Sequence, residues 1–87
     1  MEFIYENGLI YAENENGEVI AEITYTVNGD TATINHTFTD DSLRGQGIAG
    51  KLVQAAAEQI LAEGYKVNAT CSYAVKWLSK HPEYLHK

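Results

Sequence analysis

The sequence predicts an α+β domain. A mostly antiparallel mixed sheet of three or four strands is followed by a helix, a strand and a short helix. Three observations predict it. The first forty residues alternate apolar and polar side chains between Gly-containing turns, the period of strands with one covered face. From Gln46 to Glu63 an alanine-rich run carries apolar residues at helical spacing. A strand-like and a second helical segment then close the chain, so the strands flanking the first helix can pair in parallel through a right-handed crossover.

Each element has its own signal. The opening EFIYENG reads as a short edge strand, and LIYAEN and EVIAEITYTV read as strands joined by NENG. The latter joins TATINHTFT through NGD, where Asn28-Gly29 signals a hairpin whose two central residues take positive φ. Val19, Ala21, Ile23, Tyr25 and Val27 alternate with Glu18, Glu22, Thr24 and Thr26, although Ile20 falls among the latter. DDSLRGQG is a polar loop. In the helix Ile48, Leu52, Ala55, Ala56, Gln59 and Ile60 share a face, and Gly64 suits the C′ stop position. YKVNATC reads as a strand ending at Cys71. Ser72 can cap a helix running to about Lys80, which Pro82 prevents from continuing. Ala74, Val75, Leu78 and Trp77 are its candidate core residues.

The 87 residues suffice for one domain rather than two. No long apolar run suggests a membrane span, and the acidic MEFIYENG lacks the basic n-region of a signal peptide. One cysteine excludes an intramolecular disulfide framework. These features predict a soluble protein of a reducing cytoplasm. So small a core gains stability from a ligand or a second copy of the chain, which makes a homodimer one expected assembly. The net charge of −6 divides unevenly: residues 1–43 carry −9 and residues 44–87 carry +3. Nucleic acid is not expected as a partner, because its phosphate backbone demands a broad basic surface. A small polyanion at the second half, or a cationic substrate drawn to the first, fits the asymmetry. So does a plainer role, in which surface acids only maintain solubility.

The segment LRGQGIAGKL sits between a strand and a helix N-terminus, where unpaired N–H groups and the dipole favour an anion. Gly45 and Gly47 remove side chains that would hold a phosphate away, Ala49 and Gly50 keep the first turn thin, and Arg44 offers a charged fork. The Lys-Ser/Thr ending of a Walker loop is missing. Gly45, Gly47 and Gly50 do match G-x-G-x-x-G. The antiparallel sheet ahead of them and the missing acidic ribose partner argue against a dinucleotide fold. The competing explanation is a tight turn with close helix packing.

Arg44-Gly45-Gln46-Gly47-Ile48-Ala49 fits Q/R-x-x-G-x-G/A and resembles the pyrophosphate-binding signature of the GNAT superfamily of N-acetyltransferases. NHTFTDDSLRGQGIAGKLV and CSYAVKWLSKHPEY resemble a small, minimal GNAT-like subgroup, and with the strand pattern the resemblance covers nearly the whole chain. It implies a GNAT-like acyl-CoA N-acyltransferase fold, acetyl-coenzyme A as co-substrate and an amine acceptor that the sequence does not name. The pyrophosphate would lie on the amides from Arg44 to Ala49, and the pantetheine arm beside Thr37, Phe38 and Thr39.

Acetyl transfer to an amine needs a neutral amine, a hydrogen-bond donor for the carbonyl oxygen and an outlet for the leaving thiolate. A cysteine thiolate can instead accept the acetyl group first. The resemblance assigns the catalytic pair to Cys71, as acetyl acceptor or proton donor, and His36, as its base or orienter. Against this, Cys71 reads equally as a small buried hydrophobe and His36 as a satisfied sheet histidine. His81 in KHPEY is either a contact to coenzyme A or a helix cap. Tyr73, Trp77 and Tyr84 read as core or groove wall. Cys71, His36, His81 and His86 lack ligand-pair spacing, so no metal site is expected. Full-size GNAT domains carry extra N-terminal helices that shape the acceptor pocket. This chain passes from strand to strand without them, which implies a shallow, partner-supplied or absent acceptor site. Two other functions compete: a non-catalytic acyl-coenzyme A binding or sensing module, and an interaction domain whose glycine loop is only a turn.

Overall fold

The computed structural model describes residues 2–85. Five strands form one sheet in the order β1-β2-β3-β4-β5: β1 Ile4–Glu6, β2 Leu9–Glu13, β3 Val19–Asn28, β4 Thr31–Thr39 and β5 Lys66–Ala69. Helix α1 spans Ile48–Ala62 and α2 spans Ser72–Ser79, with short 3-10 turns at Asp41–Leu43 and Pro82–Tyr84. The first four strands are antiparallel, and β5 joins β4 in parallel from Thr31↔Lys66 to Ile34↔Ala69. The expected parallel pairing across the helix is therefore present.

The β3–β4 hairpin turns one residue later than expected. Asn28 pairs with Thr31, so Gly29 and Asp30 occupy the turn. Only Gly29 takes positive φ, at 65°. Glycine at the first central position is the arrangement of a II′ turn and leaves Asn28 free to remain in the strand. At NENG, the Asn14 side chain accepts hydrogen bonds from the backbone of Asn16 and Glu18, and Gly17 takes φ 81°.

One face of the sheet is covered by α1. Ile10, Ala12, Ala21, Ile23, Ala32 and Ile34 point into this core and are fully buried, against Leu52, Val53, Ala56, Ala57 and Ile60 of the helix. Val19 and Val27 match the period but lie at strand ends and are exposed. In α2, Ala74 and Leu78 are buried and Trp77 packs at the margin, whereas Val75 is exposed, contrary to expectation. Gly64 stops α1 as expected. At φ 90° it donates its N–H to Leu61, and Tyr65 donates to Ile60, a Schellman closure. The helix begins at Ile48 rather than Gln46, because Gly47 at its N-cap has left-handed backbone.

Candidate cofactor site

The site is built around an irregularity in β4. Tyr25 pairs with Ile34 and Thr24 with His36, which leaves Asn35 as the extra residue of a bulge. Asn35 and His36 consequently both turn to the face not covered by α1. Asn35 contacts the Thr24 side chain there, and His36 Nε2 lies 3.2 Å from Glu22 Oε2. Beyond the bulge the alternation resumes in the opposite phase. Thr37 pairs with the buried Ile23 on the helix-covered face, Phe38 with Glu22 on the open face, and Thr39 with Ala21 on the covered face.

Past Ile34, β4 and β5 part. The N–H groups of Thr70 and Cys71 both reach the Ile34 carbonyl, at 2.9 and 3.3 Å, and the chain then turns into α2. The edge of β4 from Asn35 to Thr39 has β3 on one side and no strand on the other. Because the Asp40 N–H bonds back to Ile20 on β3, the alternation aims the N–H groups of Thr37 and Thr39 away from β3, into the gap. Of the strand residues expected beside pantetheine, Thr37 and Thr39 therefore face the opening. Phe38 is turned away, and its side chain is 40% exposed on the other face.

Cys71 forms one wall of this gap. It is the N-cap of α2 rather than the end of β5, and Ser72 is the first helical residue. Its sulfur lies 3.4 Å from Thr37 Oγ1. Burial by itself pushes the thiol pKa up. The Thr37 hydroxyl and the backbone N–H groups of Ala74, Tyr73 and Thr37 outweigh burial, and the thiol is held below its ordinary range. His36 is not the partner of this thiol, as the sequence reading expected. Thr37 and His36 are consecutive, Thr37 points to Cys71, and His36 points to Glu22 on the opposite face.

The loop after β4 is tightly organised. Asp40 caps the turn by accepting the Ser42 N–H at 3.0 Å, and its hydrogen bonds with Ser42 hold its carboxyl below the usual range. The Arg44 N–H is taken by the Asp41 carbonyl and the Gln46 N–H by the Leu43 carbonyl. Gly45 and Gly47 have φ of 81° and 70°, with nothing within 4 Å of where a Cβ would stand. The first α1 bond runs from the Lys51 N–H to the Gly47 carbonyl. Among the described residues, the N–H groups of Gly47, Ile48, Ala49 and Gly50 have no backbone partner. Among the described residues the continuous row of amides without a backbone partner is thus 47–50, and the Gly45 N–H is a further one; of the expected 44–49, those of Arg44 and Gln46 are taken within the loop. Arg44 lies at the surface, paired with Asp41 at 3.2 Å. The Ile48 side chain belongs to the core.

Gly50 has a different task. A Cβ there would stand 3.2 Å from Trp77 Nε1 and 3.5 Å from Tyr73 Oη, so its absence lets α2 approach the first turn of α1. Trp77 stacks on His81 with ring centroids 3.8 Å apart and lies tilted against Tyr84 at 5.7 Å. His81 caps the Pro82–Tyr84 turn and supports the Trp77 wall. His86 lies outside the described residues. Sequence reasoning missed the Cys71–Thr37 and His36–Glu22 contacts, because both depend on the bulge and no turn residue marks it.

The GCN5-related N-acetyltransferase domain model matches residues 9–87. The NMR structure of a GCN5-like protein from Staphylococcus aureus is 33% identical, covering 95% of this chain and 82% of that one, with a TM-score of 0.75. A GNAT family N-acetyltransferase from Escherichia coli, solved in complex with CoA, is 25% identical over 70% of this chain and 38% of its own, with a TM-score of 0.62. Protein NATD1 of Xenopus tropicalis is 35% identical over 63 residues, which are 70% of this chain and 58% of that protein. The chain thus spans little more than half the length of the curated relatives it matches. With its parted strands, glycine-capped helix and a domain match running from β2 onward, the chain belongs to the GCN5-related N-acetyltransferase family.

Proposed function

We propose that this chain is an acetyl-coenzyme A-dependent N-acetyltransferase that acts through Cys71. The observation that carries the reading is the gap between β4 and Cys71, which leads directly to the open amides of Gly47–Gly50. A pantetheine arm fits such a gap as a surrogate strand, bonding to the Thr37 and Thr39 edge. Its pyrophosphate then meets the α1 N-terminus, where unpaired donors and the dipole favour negative charge. The E. coli relative solved with CoA supports the choice of co-substrate.

In this mechanism the Cys71 thiolate attacks the thioester carbonyl carbon. A bond forms between that carbon and Sγ, and the carbon–sulfur bond to coenzyme A breaks, releasing its thiolate. As the charge leaves Sγ on attack, the Thr37 N–H that held the thiolate is released to the charge that develops on the carbonyl oxygen. A neutral amine then attacks the acetyl group on Cys71. The carbon–nitrogen bond forms, the bond to Sγ breaks, and the amine loses a proton. His36, oriented by Glu22 on the open face, takes that proton from an amine arriving on its side of the sheet.

Titration with acetyl-coenzyme A followed by intact-protein mass spectrometry tests the reading. The expected result is saturable binding with an acetyl adduct that is absent in Cys71→Ala. Binding without the adduct, with transfer kept in Cys71→Ala, would reassign the chemistry to direct attack by the amine. Absence of binding would return the glycines to being a turn.

A further inference from the structure

We propose that the pocket formed by Tyr73, Lys76, Trp77 and Lys80 on α2 binds the 3′-phosphoadenosine end of coenzyme A and selects for its 3′-phosphate. The inference rests on the acetyl-coenzyme A reading above and names residues outside the glycine loop. Two walls of the pocket, Tyr73 and Trp77, also contact the first turn of α1. Tyr73 Oη and Trp77 Nε1 stand 3.5 and 3.2 Å from the position of a Gly50 Cβ. A ligand whose pyrophosphate lies on the 47–50 amides is therefore beside this pocket. Among the described residues, neither polar atom has a side-chain hydrogen-bond partner.

The charge arrangement points the same way. Lys76 and Lys80 are one helical turn apart, a like-charge spacing that an isolated helix avoids. Arg44 is paired with Asp41 and Lys66 with Asp30, whereas Lys76 and Lys80 have no carboxylate within ion-pair distance among the described residues. No acidic side chain lines the pocket, although the chain carries a net −6. Two exposed lysines beside an indole fixed by stacking on His81 offer a flat apolar wall for a purine and a cationic rim for a phosphate. Coenzyme A carries one phosphate separate from its pyrophosphate, on the ribose 3′ oxygen. The two lysines fit that group.

Calorimetric titration with coenzyme A and with dephospho-coenzyme A, which lacks only the 3′-phosphate, tests the proposal. Wild type should bind coenzyme A roughly tenfold or more tightly than the dephospho form, as expected for charge-assisted hydrogen bonds. Lys76→Ala/Lys80→Ala should lose that preference while keeping its affinity for dephospho-coenzyme A and its thermal midpoint. Equal affinity of wild type for the two ligands would overturn the pocket assignment and leave the acetyl-coenzyme A reading standing. So would a preference that survives in the double variant. Failure of wild type to bind either ligand would overturn both.

Discussion

Gly47 separates the two tasks assigned to the glycine loop, turning the chain and admitting a phosphate. Its backbone is left-handed, with φ 70° at the N-cap of α1, and no atom lies within 4 Å of where a Cβ would stand. In the free protein, Gly47→Ala therefore meets no steric obstacle, and its cost is that of left-handed backbone alone, about 1–2 kcal/mol. For a domain of this size each kcal/mol shifts the thermal midpoint by about 4–8 °C, so Gly47→Ala should lower it by about 4–16 °C. Asparagine enters this region more readily, and Gly47→Asn should cost less than about 1 kcal/mol. Both variants place a side chain at the mouth of the open amides, and both should weaken acetyl-coenzyme A. Thermal melting beside calorimetric titration reads the two effects separately. If alanine costs nothing, or asparagine costs as much as alanine, the left-handed backbone is not the reason for glycine. If Gly47→Asn binds acetyl-coenzyme A as wild type does, the glycine serves the turn alone and the phosphate assignment to this amide row is wrong.

Thr37→Val removes the hydroxyl beside Cys71, and the pH midpoint for iodoacetamide alkylation should rise towards the ordinary thiol range. An unchanged midpoint would leave only the backbone donors to hold the thiol down. Tyr25 is buried and donates to Glu63 at 3.0 Å, and burial first and this bond second push its phenol up to about 12. The neutral phenol is the form the fold favours, so its contribution is complete below the unfolded value of about 10. It should disappear as pH rises through about 12, and alkaline melts of Tyr25→Phe should lack that loss. Gly50→Ala gains up to about 1 kcal/mol of helix propensity. It must also displace Trp77, which His81 and Tyr84 hold in place. A net loss of stability with shifted emission from this sole tryptophan is expected, and a gain with unchanged emission would deny the contact.

Most of the fold was legible because its signals are local. Alternation gave the buried Ala21, Ile23 and Tyr25, the alanine-rich run gave α1, and Gly64 gave its stop. The discrepancies lie where two local signals compete. Asn28-Gly29 and Gly29-Asp30 both suit a two-residue turn, and the register of the paired strands chose the second. Val75 fits a helical face, but a two-turn helix lying across the end of the sheet buries only Ala74 and Leu78 fully. The glycine loop falls where expected, yet its unbroken row of open amides begins at Gly47, because Arg44 and Gln46 are already bonded within the loop on either side of Gly45.

The relation of His36 to Cys71 was illegible for a stricter reason. In a regular strand, residues of equal parity share a face, and one bulged residue inverts the face of everything beyond it. Ile34 and His36 would both face α1 in an unbroken β4. Asn35 is inserted between them, so His36 turns to the open face and Thr37 takes its place beside Cys71. The same inversion aims the Thr37 N–H into the gap beside Cys71. A regular strand would have put His36 against the thiol and presented the Phe38 N–H to the gap. In the proposed mechanism the bulge instead divides the roles between the two faces of one strand. The thiol and the amides that would hold the thioester lie on the α1 side, and an imidazole held by Glu22 lies on the other. Deleting Asn35 should remove the bulge without moving either face, because Ile34 already pairs with Tyr25 and His36 with Thr24: His36 stays on the open face, Thr37 stays beside Cys71, and acetylation of Cys71 survives in a chain that still folds. Loss of acetylation in that variant, with the Thr24–His36 and Ile23–Thr37 pairings confirmed by backbone NMR, would show that Asn35 itself, and not the division of faces, serves the reaction.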